Sequence, residues 1–332
     1  MTGDTDSRAD ERGAGAGLRS SPSSFLYREV TGAGWLVGGR ELDLSSSVVM
    51  GIVNVTPDSF SDGGDADSPG KAVRRARRLV AEGAGILDIG GESTRPGADP
   101  VSRKEELRRV IPVVEAVVES ARVPVSVDTR HALVAEEALA AGALILNDVS
   151  GLRHDPGMVR IIADAGAALV LSHMRGTPSS MQELAVYDDV VGEVVAELRA
   201  SFDLATSAGV DPRRVVVDPG IGFAKTGAQS LRLLSELGAL IRLGRPVLVG
   251  PSRKSFIGEV TGVSPKERVP GTVAACVMAY LQGARLFRVH DVAPVVQALA
   301  VTEAIVGAGT GSDLPISGPL ANTGEQEEET RA

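Results

Sequence analysis

Val48-Val-Met-Gly51-Ile-Val-Asn54-Val-Thr56-Pro57-Asp58-Ser59-Phe60-Ser61-Asp62-Gly63-Gly64 is the stretch from which the fold can be read. Val48 to Val53 is uncharged and mostly β-branched, the composition of a strand buried on both faces. The run stops at Asn54. Thr-Pro-Asp-Ser then breaks the strand, and Asp62-Gly63-Gly64 makes a turn. A buried strand thus carries an amide oxygen to its C-terminal end and hands over to a polar loop with one aromatic, Phe60. That layout predicts the active edge of an α/β barrel.

Downstream a rhythm sets in. Helical segments rich in Ala, Arg, Leu and Glu end near a Gly, and short apolar strands follow. The strands are Ile86-Leu-Asp-Ile89, Pro124-Val-Ser-Val-Asp128, Ala143-Leu-Ile-Leu-Asn147, Ala167 to Ser172, Arg214-Val-Val-Val-Asp218, Arg245 to Gly250 and Ala284 to Val289. With Val48–Val53 they number eight, the strand count of a (β/α)8 TIM barrel. A doubly wound sheet is the rival, but its usual strand number is smaller. Upstream, Phe25 to Leu44 alternates around Gly38-Gly39 and predicts a β-hairpin. Residues 1–24 and 309–332 are polar and low in complexity and read as disordered tails, the second one acidic. The remainder, 25–308, reads as a single domain.

Composition removes several function classes. A net charge of −9 and a pI near 5.1 argue against nucleic acid as the main partner. Aromatics make up 3%, too few for a stacking platform. The one cysteine, Cys276, lies among apolar residues and predicts a buried structural thiol in a reducing, cytoplasmic setting. No apolar run of the length needed to span a membrane stands out, and the N-terminus has no signal-peptide core. The four histidines are scattered, so a zinc site is not expected.

A barrel demands that chemistry collect where strands end. Asn54, Asp128, Asn147, Asp148, His173, Asp218, Ser252 and His290 all stand there. Alternation predicts that Val216 and Asp218 share a face, as do Leu248, Gly250 and Ser252, and likewise Arg288 and His290. Asp128, Asn147 and Asp218 are acceptors on three strands and suit a flat ligand with amino and ring N–H donors. Bonding among themselves, or capping of the next helix, is the plainer alternative. Lys254 is expected to face this acidic mouth with a carboxylate as its partner. Lys254-Ser255 does not make a P-loop, because Leu248 and Arg253 stand where that motif needs glycine. Lys225-Thr226 fails in the same way at Pro219 and Ala224. Arg288 and His290 at the end of the last strand form an anion clamp, with a buried Arg288–Asp291 pair as the alternative. Gly90-Gly-Glu92-Ser-Thr94-Arg95-Pro96-Gly97 is a loop with glycines at both ends, and Thr94 and Arg95 within it are in reach of a diphosphate. Asn54 beside a diphosphate suits Mg2+.

These motifs together resemble the dihydropteroate synthase family of folate-pathway transferases. The resemblance covers about residues 48 to 300 and rests on seven segments in order, from Asn54–Gly64 through Gly90–Gly97, Val127–Thr129, Asn147–Val149, Asp218–Phe223 and Ser252–Ser255 to Arg288–Asp291. It implies condensation of p-aminobenzoate with (7,8-dihydropterin-6-yl)methyl diphosphate. It further implies that Asp128, Asn147, Asp218 and Lys254 hold the pterin, and that Thr94, Arg95, Arg288 and His290 hold the diphosphate. Pro96, Phe223 and Ser252 would line the p-aminobenzoate site, and Asn54 would bind Mg2+. Asp128, Lys254 and Arg288 would carry the catalysis, in a homodimer sensitive to sulfonamides. Ile221 and Ala224 stand where many relatives have Phe and Gly. Two other readings stay open at this point: a pterin-dependent methyltransferase, which has no use for the diphosphate residues, and a catalytically silent pterin-binding paralogue.

Overall fold

The computed structural model describes residues 34–55 and 69–310. The tail 1–24, the first part of the expected hairpin, the loop 56–68 with Phe60, and residues 311–332 lie outside the described residues. Two short strands come first, β1 (Gly34–Val37) and β2 (Arg40–Asp43), paired antiparallel through Gly38-Gly39. Eight further strands follow: β3 (Val48–Asn54), β4 (Ile86–Gly90), β5 (Val125–Asp128), β6 (Ile145–Asp148), β7 (Ala168–Ser172), β8 (Val215–Asp218), β9 (Leu248–Val249) and β10 (Leu286–Val289). Helices alternate with them: α1 (Pro69–Ala81), α2 (Arg103–Ser120), α3 (Ala132–Ala140), α4 (Met158–Ala165), α5 (Val190–Ser207), α6 (Gly227–Ser235), α7 (Gly238–Ile241), α8 (Ser255–Thr261), α9 (Val269–Leu281) and α10 (Val292–Thr310). The last helix runs two residues past the expected domain end at 308.

The eight strands pair in parallel in the order β8-β7-β6-β5-β4-β3-β10-β9. A parallel bridge between Val217 and Val247 joins the two edges, with the Val217 N–H donating to the Pro246 carbonyl at 3.0 Å. The sheet closes into the expected barrel, and no long edge is left unpaired.

Alternation along each strand sorts the core into two compartments. Val49, Leu87, Val127, Leu146, Leu169, Val217, Val249 and Phe287 point outward and pack under the helices. Met50, Ile86, Ile145, Ala168, Val170, Val216, Leu248 and Leu286 point inward and fill the barrel. The hairpin closes the N-terminal end: Trp35 is fully buried against the inward set, and its indole N–H donates to the Arg214 carbonyl at 2.7 Å, just before β8. Cys276 is buried among outer-core residues, as the sequence predicts.

Among the described residues one helix, Val292–Gly309, is long and apolar enough to cross a membrane by length and composition. In the fold it is the last barrel helix. Val292, Val295 and Leu299 dock it on the outer core, and Glu303 accepts from the Ser47 N–H.

Candidate active site

Two residues above the apolar layer, the same strands turn charged. Asp88, Asp128, Asn147, Ser172 and Asp218 are buried at the C-terminal mouth, and Arg288 joins them from β10. Arg288 bridges two carboxylates: Nε donates to Asp88 Oδ2 at 2.6 Å and Nη2 to Asp128 Oδ2 at 2.7 Å. Asn147 Nδ2 donates to the same Asp88 oxygen at 3.2 Å. Asp218 is held by the Gly220 N–H at 2.8 Å and by the Ser172 hydroxyl at 3.2 Å. The other oxygen of Asp88 and the amide oxygen of Asn147 are buried and accept no hydrogen bond. Buried polar atoms are nearly always satisfied, so two bare acceptors side by side point to a ligand that brings N–H donors. Asp128, Asn147 and Asp218 make no described hydrogen bonds to one another; Asp128 pairs with Arg288, and Asp218 braces the turn after its own strand through the Gly220 N–H.

Burial dominates the electrostatics. It pushes the Asp128 carboxyl up to about 7, with Arg288 pulling the other way and Asp88 adding to the rise. It raises Asp218 as well. For Arg288 burial acts downward, but Asp88 and Asp128 outweigh it, so the guanidinium stays firmly charged.

Beyond β9 the chain turns sharply through Ser252-Arg253-Lys254. Arg253 lies at φ 57°, in the left-handed region that few non-glycine residues adopt. Asp291 holds its guanidinium with two bonds of 2.9 and 2.6 Å, and the Arg253 N–H donates to Thr272 Oγ1 at 3.0 Å. Asp291 is thereby committed to Arg253, and the alternative Arg288–Asp291 pair does not form. The turn aims Lys254 at Phe223, with Nζ 3.6 Å from the ring centroid. The direct contact of Lys254 is this aromatic face, a favourable cation–π geometry, and the expected carboxylates, Asp218 and Asp128, act on its charge from farther off without a direct ion pair. Burial, with Arg288 adding, pushes the Lys254 ammonium down to about 8.

Ser252 is tied to His290. Its Oγ accepts from the His290 N–H at 3.1 Å and lies 3.0 Å from Nδ1. The hydroxyl and the ring nitrogen share this second bond, which fixes the orientation of the imidazole in either tautomer. Burial, with Arg288 next, pushes His290 down to about 3, so the ring is neutral.

The loop after β8 is locked by Lys225, which is 2% exposed. Its ammonium meets His173 Nδ1 and the Phe223 carbonyl at 2.9 Å, the Gly220 carbonyl at 3.2 Å and the His173 carbonyl at 3.3 Å. Gly220 has φ +65°, and a Cβ there would stand 1.9 Å from the His173 carbonyl oxygen, so only glycine fits. Phe223 and Ala224 pack with Val149, Met174 and Met181 into a small apolar wall. Ile221 faces the outer core instead, so that departure from the usual pattern falls outside the mouth. Ala224 carries the strain of φ +47°, a position where glycine is easier.

A family described as Pterin binding enzyme matches residues 50–290. A dihydropteroate synthase from Synechocystis is 50% identical over 258 residues, covering 77% of this chain and 89% of its own. The chain belongs to the dihydropteroate synthase family. A solved Xanthomonas albilineans dihydropteroate synthase with 4-aminobenzoic acid shares 50% identity at a TM-score of 0.78, covering 83% of this chain and 99% of its own. The Yersinia pestis enzyme in a sulfonamide drug complex shares 43% at a TM-score of 0.78, covering 82% and 99%. Nothing in these matches favours the methyltransferase or the silent paralogue.

In this dihydropteroate synthase family member the remaining expected residues lie at the rim. Thr94 is half-buried, and Arg95 and Pro96 are exposed. No described hydrogen bond joins them to the polar layer; their loop instead touches the far side, where the Gly97 N–H donates to the Pro178 carbonyl at 3.0 Å. Asn54 ends β3, half-buried opposite Gly90 of β4. Among the described residues no group of three His, Cys, Asp or Glu could hold a metal. One neutral oxygen donor does fit Mg2+, which keeps waters and takes its other ligands from a phosphate.

Asp88 is the site residue that sequence reasoning missed. Its signal was present: a carboxylate in an apolar strand, two positions after the inward-facing Ile86. A surface groove of about 710 Å³ lies elsewhere, on the outer side of the barrel among Arg199, Arg232 and Arg242, remote from this layer.

Proposed function

We propose that the barrel mouth is where this chain joins p-aminobenzoate to (7,8-dihydropterin-6-yl)methyl diphosphate, giving 7,8-dihydropteroate and diphosphate. The observation that carries the site is the pair of bare acceptors, Asp88 Oδ1 and Asn147 Oδ1, flanked by Asp128 and Asp218. A pterin edge with amino and ring N–H donors satisfies them. Lys254 and Arg288 close the pterin pocket from the β9 and β10 side.

The arylamine lone pair attacks the methylene carbon, the C–O bond pair leaves with the diphosphate, and an N–H proton is released. The arylamine is already a nucleophile, so the site needs charge stabilisation rather than a triad. Asp128 and Asp88 stabilise positive charge spreading into the pterin as the C–O bond breaks. Arg288 and the His290 ring meet the leaving diphosphate, joined by Thr94 and Arg95 from the rim loop. Ser252 contributes by fixing the His290 ring. Phe223 and Pro96 line the arene site, with Lys254 lying over the Phe223 ring. Mg2+ bound with the diphosphate, with Asn54 as its protein ligand, would draw charge from the leaving oxygens.

The same reading includes a homodimer in the cytoplasm. Support for the dimer comes from the exposed apolar side chains of α9 and α10, where Met278, Val301 and Ile305 are 49%, 56% and 67% accessible. The single buried thiol, Cys276, fits a reducing compartment. The working domain on this reading is residues 25–308, extended to the end of α10 at Thr310.

Diphosphate release is the test. Release that requires both p-aminobenzoate and Mg2+, with equal dihydropteroate formed, is the expected result. Pterin binding without turnover refutes the reading.

A further inference from the structure

The rim loop is anchored by a single carboxylate. Glu92 follows β4 and is nearly buried, its side chain 6% exposed. Oε1 accepts from the Val101 N–H at 3.1 Å and from Arg130 Nη2 at 2.9 Å, and Oε2 accepts from Arg130 Nε at 2.9 Å. Glu92 thus ties the start of the loop to its end and closes 93–100 into a ring. A second brace, Arg109 Nη1 to the Gly91 carbonyl at 3.3 Å, holds the same foot. Arg130 is 5% exposed and stands two residues after Asp128. Between them the Thr129 N–H donates to the Asn147 carbonyl at 3.2 Å, which fastens the segment to β6. A bidentate Arg–carboxylate pair fixes direction as well as distance. The loop feet are therefore set against the strand ends that carry Asp128 and Asn147.

We propose that the Glu92–Arg130 pair is the positioning device of the rim loop. It holds both feet fixed so that Thr94, Arg95 and Pro96 close over the mouth as one unit, in register with Asp128. This rests on the reading of the mouth as a dihydropteroate-forming site. Its consequence is exclusion of water. A loop with a loose foot lets water attack the methylene carbon: a C–O bond forms, the diphosphate leaves with its electron pair, a proton is lost, and hydroxymethyl-dihydropterin results in place of dihydropteroate.

The test compares diphosphate released with dihydropteroate formed in the wild type, Glu92→Gln, Arg130→Lys and the double variant Glu92→Gln/Arg130→Met. Equal amounts in the wild type establish the parent reading by themselves, and absence of dihydropteroate there defeats that reading rather than this one. Glu92→Gln keeps the size but turns an amide toward the Arg130 donors. It should lower kcat/KM for p-aminobenzoate by about 10- to 100-fold and release more diphosphate than dihydropteroate. Arg130→Lys keeps the charge and one bond and should fall between. The double variant should be no worse than Glu92→Gln, because the pair acts as a unit. Affinity for a dihydropterin that lacks the diphosphate, measured without p-aminobenzoate, should match wild type in every variant, because Thr94 and Arg95 meet only the diphosphate; it also reports a native fold. Equal product amounts in Glu92→Gln overturn the proposal. So does a loss of pterin affinity as large as the loss of kcat/KM, since that marks a general packing role.

Discussion

The N-terminal end of the barrel is filled by Trp35, Val37 and Leu44 packed on Met50, Ile86, Ile145, Val216, Leu248 and Leu286. The C-terminal end repeats the same strands two residues later: Asp88 above Ile86, Asn147 above Ile145, Asp218 above Val216, Arg288 above Leu286. One step of about 7 Å along each strand separates the two layers. Below, the layer is apolar but for the indole, whose N–H has a partner, and Ser126, whose hydroxyl is buried without one. Above, two buried oxygens have none, and the carboxylates outnumber the guanidinium that bridges them. Stability is concentrated at one end and binding capacity at the other. Substitutions at each end should therefore fail in different ways.

The largest effect is expected from Arg288→Met. Loss of the guanidinium that faces the leaving group should cut kcat by about 10³-fold, measured as dihydropteroate formation. It also strands Asp88 and Asp128 beside each other, though Asp128 already holds a proton readily and can relieve the repulsion. Far-ultraviolet circular dichroism should stay native. A kcat within reach of wild type would remove Arg288 from the chemistry. The counterpart is Trp35→Ala, which should cost about 3–5 kcal/mol of unfolding free energy, read by denaturant titration. Its kcat per folded molecule should not move. If kcat collapses while the fold persists, the two ends are not separable.

This contrast explains how much could be read from sequence. Eight strands, their order and the hairpin were legible because buried parallel strands are written as short apolar runs between helical segments. Asp128, Asn147, Asp218 and Arg288 were legible because barrels place polar residues at strand ends. Asp88 was missed because it lies inside an apolar run, where only parity with Ile86 betrays it. Lys254 was legible as a strand-end cation, but its contact with the Phe223 ring depends on the left-handed turn at Arg253, which composition does not announce. Lys225 looked like part of a failed P-loop. Its role as a staple appears only when the β7 and β8 loops are side by side.

That staple gives the next test. Two loops border the mouth. The loop after β8 is held from within by Lys225, whereas the rim loop after β4 is held at its feet and by one backbone bond from Gly97 to Pro178. Lys225→Met removes an ammonium shared by three carbonyls and should let Phe223 drift. The expected result is a rise of about tenfold in KM for p-aminobenzoate, with affinity for the dihydropterin diphosphate unchanged. An equal loss for both substrates would mean that the two loops do not divide the labour in this way.

The smallest effect separates the two ends by pH. Asp128 ionises at 3.8 in the unfolded chain, and burial lifts it to about 7 in the folded one. A raised carboxyl favours the folded state most fully below 3.8, and that contribution is lost as pH rises through about 7. Pterin binding runs the other way, because N–H donors of the ligand need the carboxylate. Its affinity should fall as pH drops below about 7, by less than roughly tenfold between pH 8 and 6.5. Asp88 and Arg288 face the same group, and Glu106 and Glu92 reinforce the rise, so Asp128→Asn is the control: it should flatten the binding profile and weaken binding at high pH. Trp35 and its apolar neighbours have nothing to titrate. A pH-dependent pterin affinity that persists in Asp128→Asn would move the titrating group elsewhere in the polar layer, with Lys254, depressed to about 8, the first to examine.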